Sequence, residues 1–491
     1  MEQVIVGLDI GTTKIACFIG KKGSVRGKAQ IIGYGRTDSV GVEHGVVINI
    51  MQTADSIRRA VRMASEQADY EVSEVYVGVA GQHIKSLKSS GSTMVPEDHR
   101  LILQEDVDRL RDEQNRLIMG VGDEIIHVMP QNYIVDNEPL PNEISPVGVP
   151  GKCLKANFHI ITGNTTNLNN IKLSIEEAGL KVKGLVLEPI ASALAVLDDR
   201  DKGAGVALVD VGGGTTDVAI FTDGNIRHTS VLPLAGNSIT EDIRRGCNIL
   251  KTQAESLKTK FGSCLPSNVS EDEVISIPGI RNQPSREISR KRLAGIINSR
   301  VKMILEQVEY EFQLAECKDE LHAPIALTGG GSKLQHFSEL CSLMTGVDSR
   351  IGSPIEHLEQ AQAVAGSNLR PPKLAEIDHP MYATVIGLVL YGLAMVDDTN
   401  ASAPEVEAEP AQAPQNIKEE DKTQPASRNT DDIFAGLDDL HPEPPVVVPA
   451  PSPVVPESKE EPSDRKEKKP RIGHHLQEYF KRFLTDDDAD E

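Results

Sequence analysis

Two segments far apart in the chain combine a carboxylate with glycines and two consecutive threonines. They read VIVGLDIGTTKIACFI at residues 4–19 and GVALVDVGGGTTDVAIF at residues 205–221. Because glycine has no Cβ and threonine adds a hydroxyl, such a turn exposes N–H and O–H groups that suit phosphate oxygens. The repeat therefore predicts two β-hairpins whose turns hold a polyphosphate from both sides.

Each turn also carries charged groups that suit a bound phosphate and its metal. Asp9 and Asp210 precede the first glycine of their turns, and such carboxylates bind Mg²⁺, usually through its waters. Lys14 ends the first turn and could neutralise the phosphates. A single Asp-x-Gly also makes an ordinary turn, but two copies that both carry Thr-Thr favour a binding role. The predicted phosphate contacts are Gly11, Thr12, Thr13, Lys14, Gly212, Gly213, Gly214, Thr215 and Thr216.

A third glycine cluster, Thr328–Ser332, follows the apolar run APIAL and precedes a helix predicted to start near Lys333. Glycines there would let the backbone approach a flat base, although a tight strand-to-helix turn is the alternative. The chain has no GxxxxGK[ST] motif, and GGGTTD lacks the last glycine of GxGxxG. The pattern is therefore neither that of a P-loop nor that of a Rossmann protein.

Composition limits the classes of function. The 491 residues carry a net charge of -22, which repels a phosphate backbone, so no nucleic-acid partner is expected. Tryptophan is absent and aromatics make up 3%, which leaves little surface for stacking bases or sugars. The six cysteines form no CxxC pair and the first residues resemble a strand rather than a leader, which indicates a reduced, cytoplasmic protein without structural zinc.

The chain divides at a change of composition. Strand-like runs and helical patterns alternate from residue 1 to about residue 396, which predicts an α/β body. Its longest apolar run, Met381 to Val396, is shorter than the ~20 residues that cross a bilayer, so we predict a buried core helix. Residues 397–470 are acidic and rich in proline, which predicts a disordered linker. Within it, residues 430–441 carry apolar side chains at helical spacing and could fold on a partner, although chance is the simpler explanation.

The last residues change character again. A basic cluster, residues 465–471, leads into an apolar stripe flanked by basic residues. We predict an amphipathic helix over residues 471–485, which a family resemblance implies to lie on an anionic membrane surface; docking on the protein's own body or on a partner groove is the alternative. The predicted membrane contacts are Ile472, Leu476, Tyr479, Phe480, Lys481, Arg482, Phe483 and Leu484.

These motifs together resemble the actin, Hsp70 and sugar-kinase superfamily of ATP-binding proteins. Residues 9–14 resemble its first phosphate motif, residues 210–217 the second, and residues 328–332 its adenosine motif. The resemblance implies ATP and Mg²⁺, adds Asp217 to the carboxylates near the metal, and leaves open whether ATP is slowly hydrolysed. It makes Glu188, in EPIASAL, the candidate that positions the attacking water. The implied adenosine contacts are Gly236, Asn237, Glu255, Lys258, Gly329, Gly330, Gly331 and Ser332.

Within the superfamily, the chain is most similar to the bacterial cell-division FtsA family. The similarity rests on GLDIGTTKI, HGVV at residues 44–47, VYVGVAG, LEPIASALAVL, VDVGGGTTDVAIF and LTGGGSKL. It implies a two-lobed actin-like fold of duplicated RNase H-like domains. The expected divisions are 1–82 (subdomain 1A), 83–163 (inserted subdomain 1C), 164–203 (1A), 204–228 (2A), 229–304 (2B), 305–366 (2A) and 367–396 (1A), followed by the linker and the terminal helix.

The same resemblance implies a function and a location. It predicts a protein that assembles with copies of itself on the cytoplasmic face of the inner membrane at the division septum. There it would bind the C-terminal peptide of the FtsZ ring protein through subdomain 2B and recruit downstream division proteins. A soluble kinase would instead need a substrate pocket with its own base, and an Hsp70-like chaperone would need a β-rich domain after residue 396.

Overall fold

The computed structural model describes residues 3–401, apart from Arg26 and residues 97–99, 142–143, 280–283 and 363–369. These described residues belong to one compact unit, residues 1–407. The predicted linker beyond residue 401, its segment 430–441 and the predicted membrane helix 471–485 lie outside them.

Strands and helices alternate along the described chain. The strands are β1 (Val4–Ile10), β2 (Lys14–Lys22), β3 (Ala29–Asp38), β4 (Val42–Glu43), β5 (Val46–Val47), β6 (Glu74–Val79), β7 (Lys85–Met94), β8 (Asp123–Val135), β9 (Glu138–Pro139), β10 (Cys153–Asn164), β11 (Lys181–Leu187), β12 (Val206–Val211), β13 (Thr216–Thr222), β14 (Asn225–Leu232), β15 (Val274–Ile277), β16 (Arg286–Ser289), β17 (Ile325–Thr328) and β18 (Ser349–Ile351). The helices are α1 (Ile50–Ala68), α2 (Gln104–Asn115), α3 (Thr165–Glu177), α4 (Glu188–Val196), α5 (Asp199–Ala204), α6 (Gly236–Cys247), α7 (Lys251–Phe261), α8 (Arg290–Ala315), α9 (Phe337–Thr345), α10 (Leu374–Ile377) and α11 (Ala383–Ala401).

Two five-stranded sheets form the centres of two lobes. The first has the strand order β11-β6-β1-β2-β3 and the second the order β14-β13-β12-β17-β18. Each sheet contains an antiparallel hairpin, β1-β2 in the first sheet and β12-β13 in the second. The first strand of each hairpin also pairs in parallel with a further strand, β6 in the first sheet and β17 in the second. The same arrangement occurs twice, which confirms the predicted α/β fold with two related lobes.

Helices cover both faces of each sheet. The helices α1 and α3 pack on the outer face of the first sheet, and α6 and α8 cover the outer face of the second. Between the lobes, α4 and α11 belong to one buried cluster that also contains Phe18 of β2 and Leu208 of β12. Strands enclosed on both faces need continuous apolar runs, which is what VIVGLDI and VALVDV provide.

Most of the apolar run Met381 to Val396 is buried, as predicted, although Met395 near its end is exposed. It forms most of α11, whose side chains Val385, Ile386, Leu388 and Val389 are buried. None of the described helices is long and apolar enough to cross a membrane. The helix continues through Ala401, so the predicted linker start at residue 397 is wrong. Acidic and polar residues can continue a helix, and the first proline comes only at Pro404.

A separate four-stranded sheet lies between β6 and α3 in the chain. Its strand order is β7-β10-β8-β9, and α2 packs on it over a small apolar core that includes Leu110 and Phe158. We call residues 83–163, the predicted 1C region, the insert. The strands at its two ends, β7 and β10, begin at Lys85 and end at Asn164, within two residues of the predicted limits.

Other predicted boundaries cut through regular structure. The boundary at residue 229 lies within β14, and the boundary at residue 304 lies within the long helix α8. The helix predicted near Lys333 is a short 3-10 turn, Gly330–Lys333, and the following α-helix begins at Phe337. Glycine is a poor helix former, so the Gly-rich sequence delays the helix by one turn.

Candidate functional site

The two Gly/Thr segments form hairpin turns of the same geometry. The N–H of Gly11 donates to the carbonyl of Lys14 at 3.0 Å, and the N–H of Gly212 donates to the carbonyl of Thr215 at 2.9 Å. Across the hairpins Asp9 pairs with Ala16, and Asp210 pairs with Asp217. The predicted hairpins are therefore present, and each places a carboxylate in its β-ladder just before the turn.

The two turns face each other from opposite lobes and touch. A Cβ added at Gly213 would lie 2.3 Å from Cγ2 of Thr13, and one added at Gly214 would lie 2.3 Å from Oγ1 of Thr12. No side chain fits at either glycine while the lobes hold this arrangement. The glycines of the second turn are thus needed for close approach between lobes.

A cross-lobe hydrogen bond lies beside these turns. His44, between β4 and β5, donates from Nδ1 to the carbonyl of Gly214 at 3.1 Å. The next N–H, that of Gly45, donates to Oγ1 of Thr12 at 3.1 Å. His44 was not among the predicted site residues, although the HGVV stretch was part of the resemblance. It joins the first lobe to the second at the edge of the cavity.

Between the lobes lies a cavity of about 510 Å³. That volume is within the usual range of small-molecule sites, ~300–1,000 Å³. Most of the predicted site residues line it: Asp9, Gly11, Thr12, Thr13, Lys14, Glu188, Asp210, Gly212, Gly213, Gly214, Thr215, Asp217, Gly236, Asn237, Glu255, Lys258, Gly329, Gly330 and Gly331.

Two predicted contacts, Thr216 and Ser332, do not line the cavity. Both are buried, and their hydroxyls bond to backbone: Thr216 donates to the carbonyl of Leu234 at 2.7 Å, and Ser332 to the carbonyl of Gly329 at 2.8 Å. These residues therefore hold the loops that form the cavity rather than reach into it.

Four acidic side chains meet at the closed end of the cavity. Asp9 forms an ion pair with Lys14. Asp210 accepts hydrogen bonds from Ser192 at 2.8 Å and from Thr384 of α11 at 3.4 Å. The remaining two are Asp217, on β13, and Glu188, the first residue of α4, which lies where the chain leaves β11. Both phosphate turns and both central helices thus contribute to one acidic group.

The acidic group is electrostatically strained. Burial raises the pKa of Asp210 to about 6, even though the hydroxyl of Ser192 stabilises its charged form. Burial and then the charges of Asp9, Asp217 and Asp210 raise the pKa of Glu188 well above its usual range. Burial and the charge of Asp210 do the same to the pKa of Asp217. A cation placed among these side chains would favour their charged forms and so offset the effects of burial and of the neighbouring negative charges.

The donors suit Mg²⁺ held through water. Among the described residues, Oδ1 of Asp217 is buried without a hydrogen-bond partner, although its other oxygen accepts from Thr215 at 3.2 Å. In the same part of the chain, no three acidic, His or Cys side chains are placed to bind a metal directly. Hard carboxylate oxygens that reach the ion through its waters match the usual preference of Mg²⁺.

The start of α6 packs against the second Gly/Thr turn. The N–H groups of Gly236 and Asn237 donate to the carbonyls of Gly212 and Gly213 at 3.1 and 2.8 Å. The amine of Lys258 donates to the carbonyl of Gly236 at 2.9 Å and forms an ion pair with Glu255 at 2.7 Å. The start of α6, Lys258 and Glu255 therefore form one connected group at the predicted ribose and base contacts.

Gly329 occupies the narrowest position of the third glycine cluster. Its φ is 80°, and an added Cβ would lie 2.3 Å from Oδ1 of Asp210. The backbone conformation and the lack of space both require glycine at this position. The third glycine cluster therefore lies against the acidic group, and Thr328 of this cluster donates to the carbonyl of Pro380 at 3.0 Å.

We predict that Lys258→Met destabilises the protein by about 2 kcal/mol, because it removes the bonds from Lys258 to the carbonyl of Gly236 and the hydroxyl of Thr240 and leaves Glu255 without its cation. Urea unfolding measures the change. The matched control is Lys260→Met on the same helix: Lys260 is exposed, so its unfolding midpoint should stay that of the parent chain. Equal midpoints for both variants would contradict a structural role for Lys258.

Several cavity residues were not predicted from the sequence. Arg36 comes from β3, Lys260 from α7, Lys333 from the 3-10 turn Gly330–Lys333, and His379 from the turn before α11. Burial lowers the pKa of His379 to about 4, and the charges of Lys333 and Arg36 lower it further, which shows that these groups lie near one another. The lining of the cavity thus gains three basic side chains, Arg36, Lys260 and Lys333, that the sequence did not indicate.

Two lobes with matching sheets, facing phosphate turns and a cavity between them define the actin-like ATPase fold. A solved structure described as the "PilM-PilN type IV pilus biogenesis complex" shares it, with a TM-score of 0.56 and 17% identity over 79% of this chain and 98% of that chain. A family model described as "Hsp70 protein" matches residues 164–230.

Sequence relatives identify the family. The chain is 34% identical to "Cell division protein FtsA" of Pseudomonas aeruginosa over 396 residues, 81% of this chain and 91% of the relative. It is 35% identical to the Neisseria meningitidis protein of the same name, over 79% and 90% of the two chains. Models described as "Cell division protein FtsA" and "SHS2 domain inserted in FTSA" match residues 207–387 and 81–162. The chain belongs to the FtsA family of cell-division proteins.

Proposed function

We propose that the chain binds ATP with Mg²⁺ between its lobes and uses it to control assembly in cell division. The observation that supports this most directly is the pair of facing phosphate turns above four acidic side chains in one cavity. The turns supply N–H and O–H donors, and Lys14 supplies a cation, for phosphate oxygens. The four acidic side chains supply carboxylate oxygens that would accept hydrogen bonds from the waters around one cation.

Each group has a separate task in this proposal. Bound Mg²⁺ would neutralise phosphate charge and hold the polyphosphate in one orientation. Asp9, Asp210 and Asp217 hold the waters of the metal, and Glu188 orients a water for attack on the terminal phosphate. Gly236, Asn237, Glu255 and Lys258 bind the ribose and base.

The wider role follows from membership of the FtsA family. We propose that the protein assembles with copies of itself on the cytoplasmic face of the inner membrane, at the division septum. Residues 229–304 would bind the C-terminal peptide of FtsZ and so tether the FtsZ ring, and the assembly would recruit downstream division proteins. The amphipathic sequence 471–485 supports attachment to anionic lipids.

One such helix binds a membrane weakly. Half-burying six apolar side chains contributes about 5–10 kcal/mol, and ordering the helix costs ~1 kcal/mol or more per residue, so the two nearly cancel. Basic residues add about 1 kcal/mol each near an anionic surface. Assembly changes the balance, because each further tethered copy binds as part of the same complex. Membrane binding should therefore depend on self-assembly.

We predict that the full chain sediments with anionic liposomes, and more strongly with Mg-ATP, whereas a version ending at Pro470 stays in solution. Both versions should bind an FtsZ C-terminal peptide equally, because the truncation leaves residues 229–304 intact. If both versions remain in solution with and without Mg-ATP, the membrane proposal is wrong. If both sediment, the attachment lies in the body of the protein instead.

A further inference from the structure

The insert lies against the edge strands of both lobes. Its strand β8 packs beside β11, the edge of the first sheet, and beside β14, the edge of the second. Exposed sheet edges are open to pairing with other chains, and the insert covers one edge of each lobe. The strand β8 therefore contacts both lobes.

The insert is held firmly to the first lobe. It is continuous with that lobe at both ends, and the N–H of Leu187 donates to Nε2 of His127 in β8 at 3.1 Å. Burial lowers the pKa of His127 to about 4, so at neutral pH the ring is uncharged and its Nε2 accepts this bond. Leu187 directly precedes Glu188. Lys172 of α3 adds a bond of 3.1 Å to Glu124 of β8.

Its contact with the second lobe is made largely by polar groups. Gln131 of β8 is buried, and its Nε2 donates to the carbonyls of Ile226 and Arg227 at 3.2 and 3.4 Å. Nε2 of His159, in β10, lies 3.0 Å from Oγ1 of Thr229. We call Gln131, His159, Ile226, Arg227 and Thr229 the seam.

The seam is also close in sequence to the nucleotide loops. Strand β14 carries Ile226, Arg227 and Thr229 and ends at Leu232, and the chain then passes through Leu234 to Gly236. Leu234 is held by Thr216 of the second phosphate turn, at 2.7 Å. A displacement of β14 would therefore also move the short segment that joins it to Gly236, which lines the cavity.

These contacts have a mechanical consequence. Because the insert is fixed to the first lobe, any rotation of the second lobe away from the first must break the seam or pull the insert with it. In this structure the phosphate turns touch and the seam is formed at the same time. Hydrogen bonds that form only in the closed arrangement stabilise that arrangement.

We propose that the insert is a strap that holds the lobes closed through the seam, so that nucleotide binding and insert docking strengthen each other. This inference rests on the proposed binding of ATP between the lobes. Coupling of this kind is reciprocal: a nucleotide that closes the cavity protects the seam, and a weakened seam lowers nucleotide affinity by the same factor.

The first experiment uses the unmodified chain and hydrogen exchange, with and without Mg-ATP. We expect slower exchange at the amides of β14 and β8 when Mg-ATP is bound, beyond any change in β18 at the far edge of the same sheet. Mg-ATP that binds but leaves exchange at β14 and β8 unchanged would overturn the strap. If Mg-ATP does not bind, the proposed function itself is wrong and the strap with it.

The second experiment compares two neighbouring substitutions. Gln131→Leu removes two of the hydrogen bonds across the seam and keeps the size of the side chain, and we expect Mg-ATP affinity to fall about fivefold. The control is Asn132→Leu, because Asn132 accepts a bond of 2.8 Å from Asn157 within the insert and does not reach the second lobe. Equal ATP affinities for the two variants, measured where urea unfolding shows both folded, would overturn the proposal.

Discussion

Gly213→Ala is expected to weaken Mg-ATP binding by at least about tenfold, which corresponds to ~1.4 kcal/mol. The new Cβ would lie 2.3 Å from Cγ2 of Thr13 and 2.9 Å from its Oγ1, a contact that real atoms do not make. Gly213 does not have a left-handed backbone, so alanine causes no strain within its own turn. The cost appears only when the lobes close, which is the state that we propose binds the nucleotide.

Isothermal titration with ATP and Mg²⁺ measures this loss. Gly295→Ala on α8 is the matched control, because an added Cβ there meets no atom within 4 Å. That control should bind ATP as the parent chain does and should be slightly more stable, since alanine favours a helix. Unchanged affinity in Gly213→Ala would mean that ATP binding does not require contact between the phosphate turns.

Asp210→Asn is expected to stabilise the metal-free protein by about 1–3 kcal/mol while removing the extra stability that Mg-ATP confers. Burial raises the pKa of Asp210 to about 6 from 3.8. The charged form therefore destabilises the folded protein by up to about 3 kcal/mol at neutral pH. Asparagine keeps the shape and removes the charge, at the cost of weaker interactions with Ser192 and with the cation.

The pH dependence tests the cause. The folded pKa lies above the unfolded value, so the folded state binds the extra proton between about pH 4 and pH 6. The stability advantage of Asp210→Asn should thus be full above about pH 6 and disappear as the pH falls toward 4. Urea unfolding at several pH values measures it, with the exposed Asp319→Asn as a control that should change little. An advantage that is the same at all pH values would rule out the charge as its source.

The sequence was sufficient for the parts of the site that lie in one short segment. Both hairpins could be predicted because the turn, its glycines and its carboxylate are contiguous and occur twice. Each of the four acidic residues was also predicted from the sequence. The raised pKa values of Glu188, Asp210 and Asp217 were not. The pKa of Asp217 depends on burial and on Asp210, which is its partner across the hairpin, and on the proximity of the first lobe.

The residues that were missed come from single positions without a repeating pattern. His44 lies in a two-stranded turn, and Arg36, Lys333 and His379 come from three separate elements. Only the packing of α11 and the two sheets brings Arg36, Lys333 and His379 to one cavity and His44 to its edge. The predicted boundary at residue 397 is wrong for a related reason: composition changes at Asp397, but a helix ends where its hydrogen bonds end, and α11 continues to Ala401.

The position of α11 determines an order of folding during synthesis. The sheet of the second lobe is drawn entirely from residues 206–351, so that lobe can form as soon as this stretch has emerged from the ribosome. The first lobe begins at β1, but α11 packs against β1 and β2 and completes its inner face. Its first strands are made earliest and must wait for the last helix. The lobe that is started first is therefore finished last, and its apolar strands remain the part of the nascent chain most in need of protection.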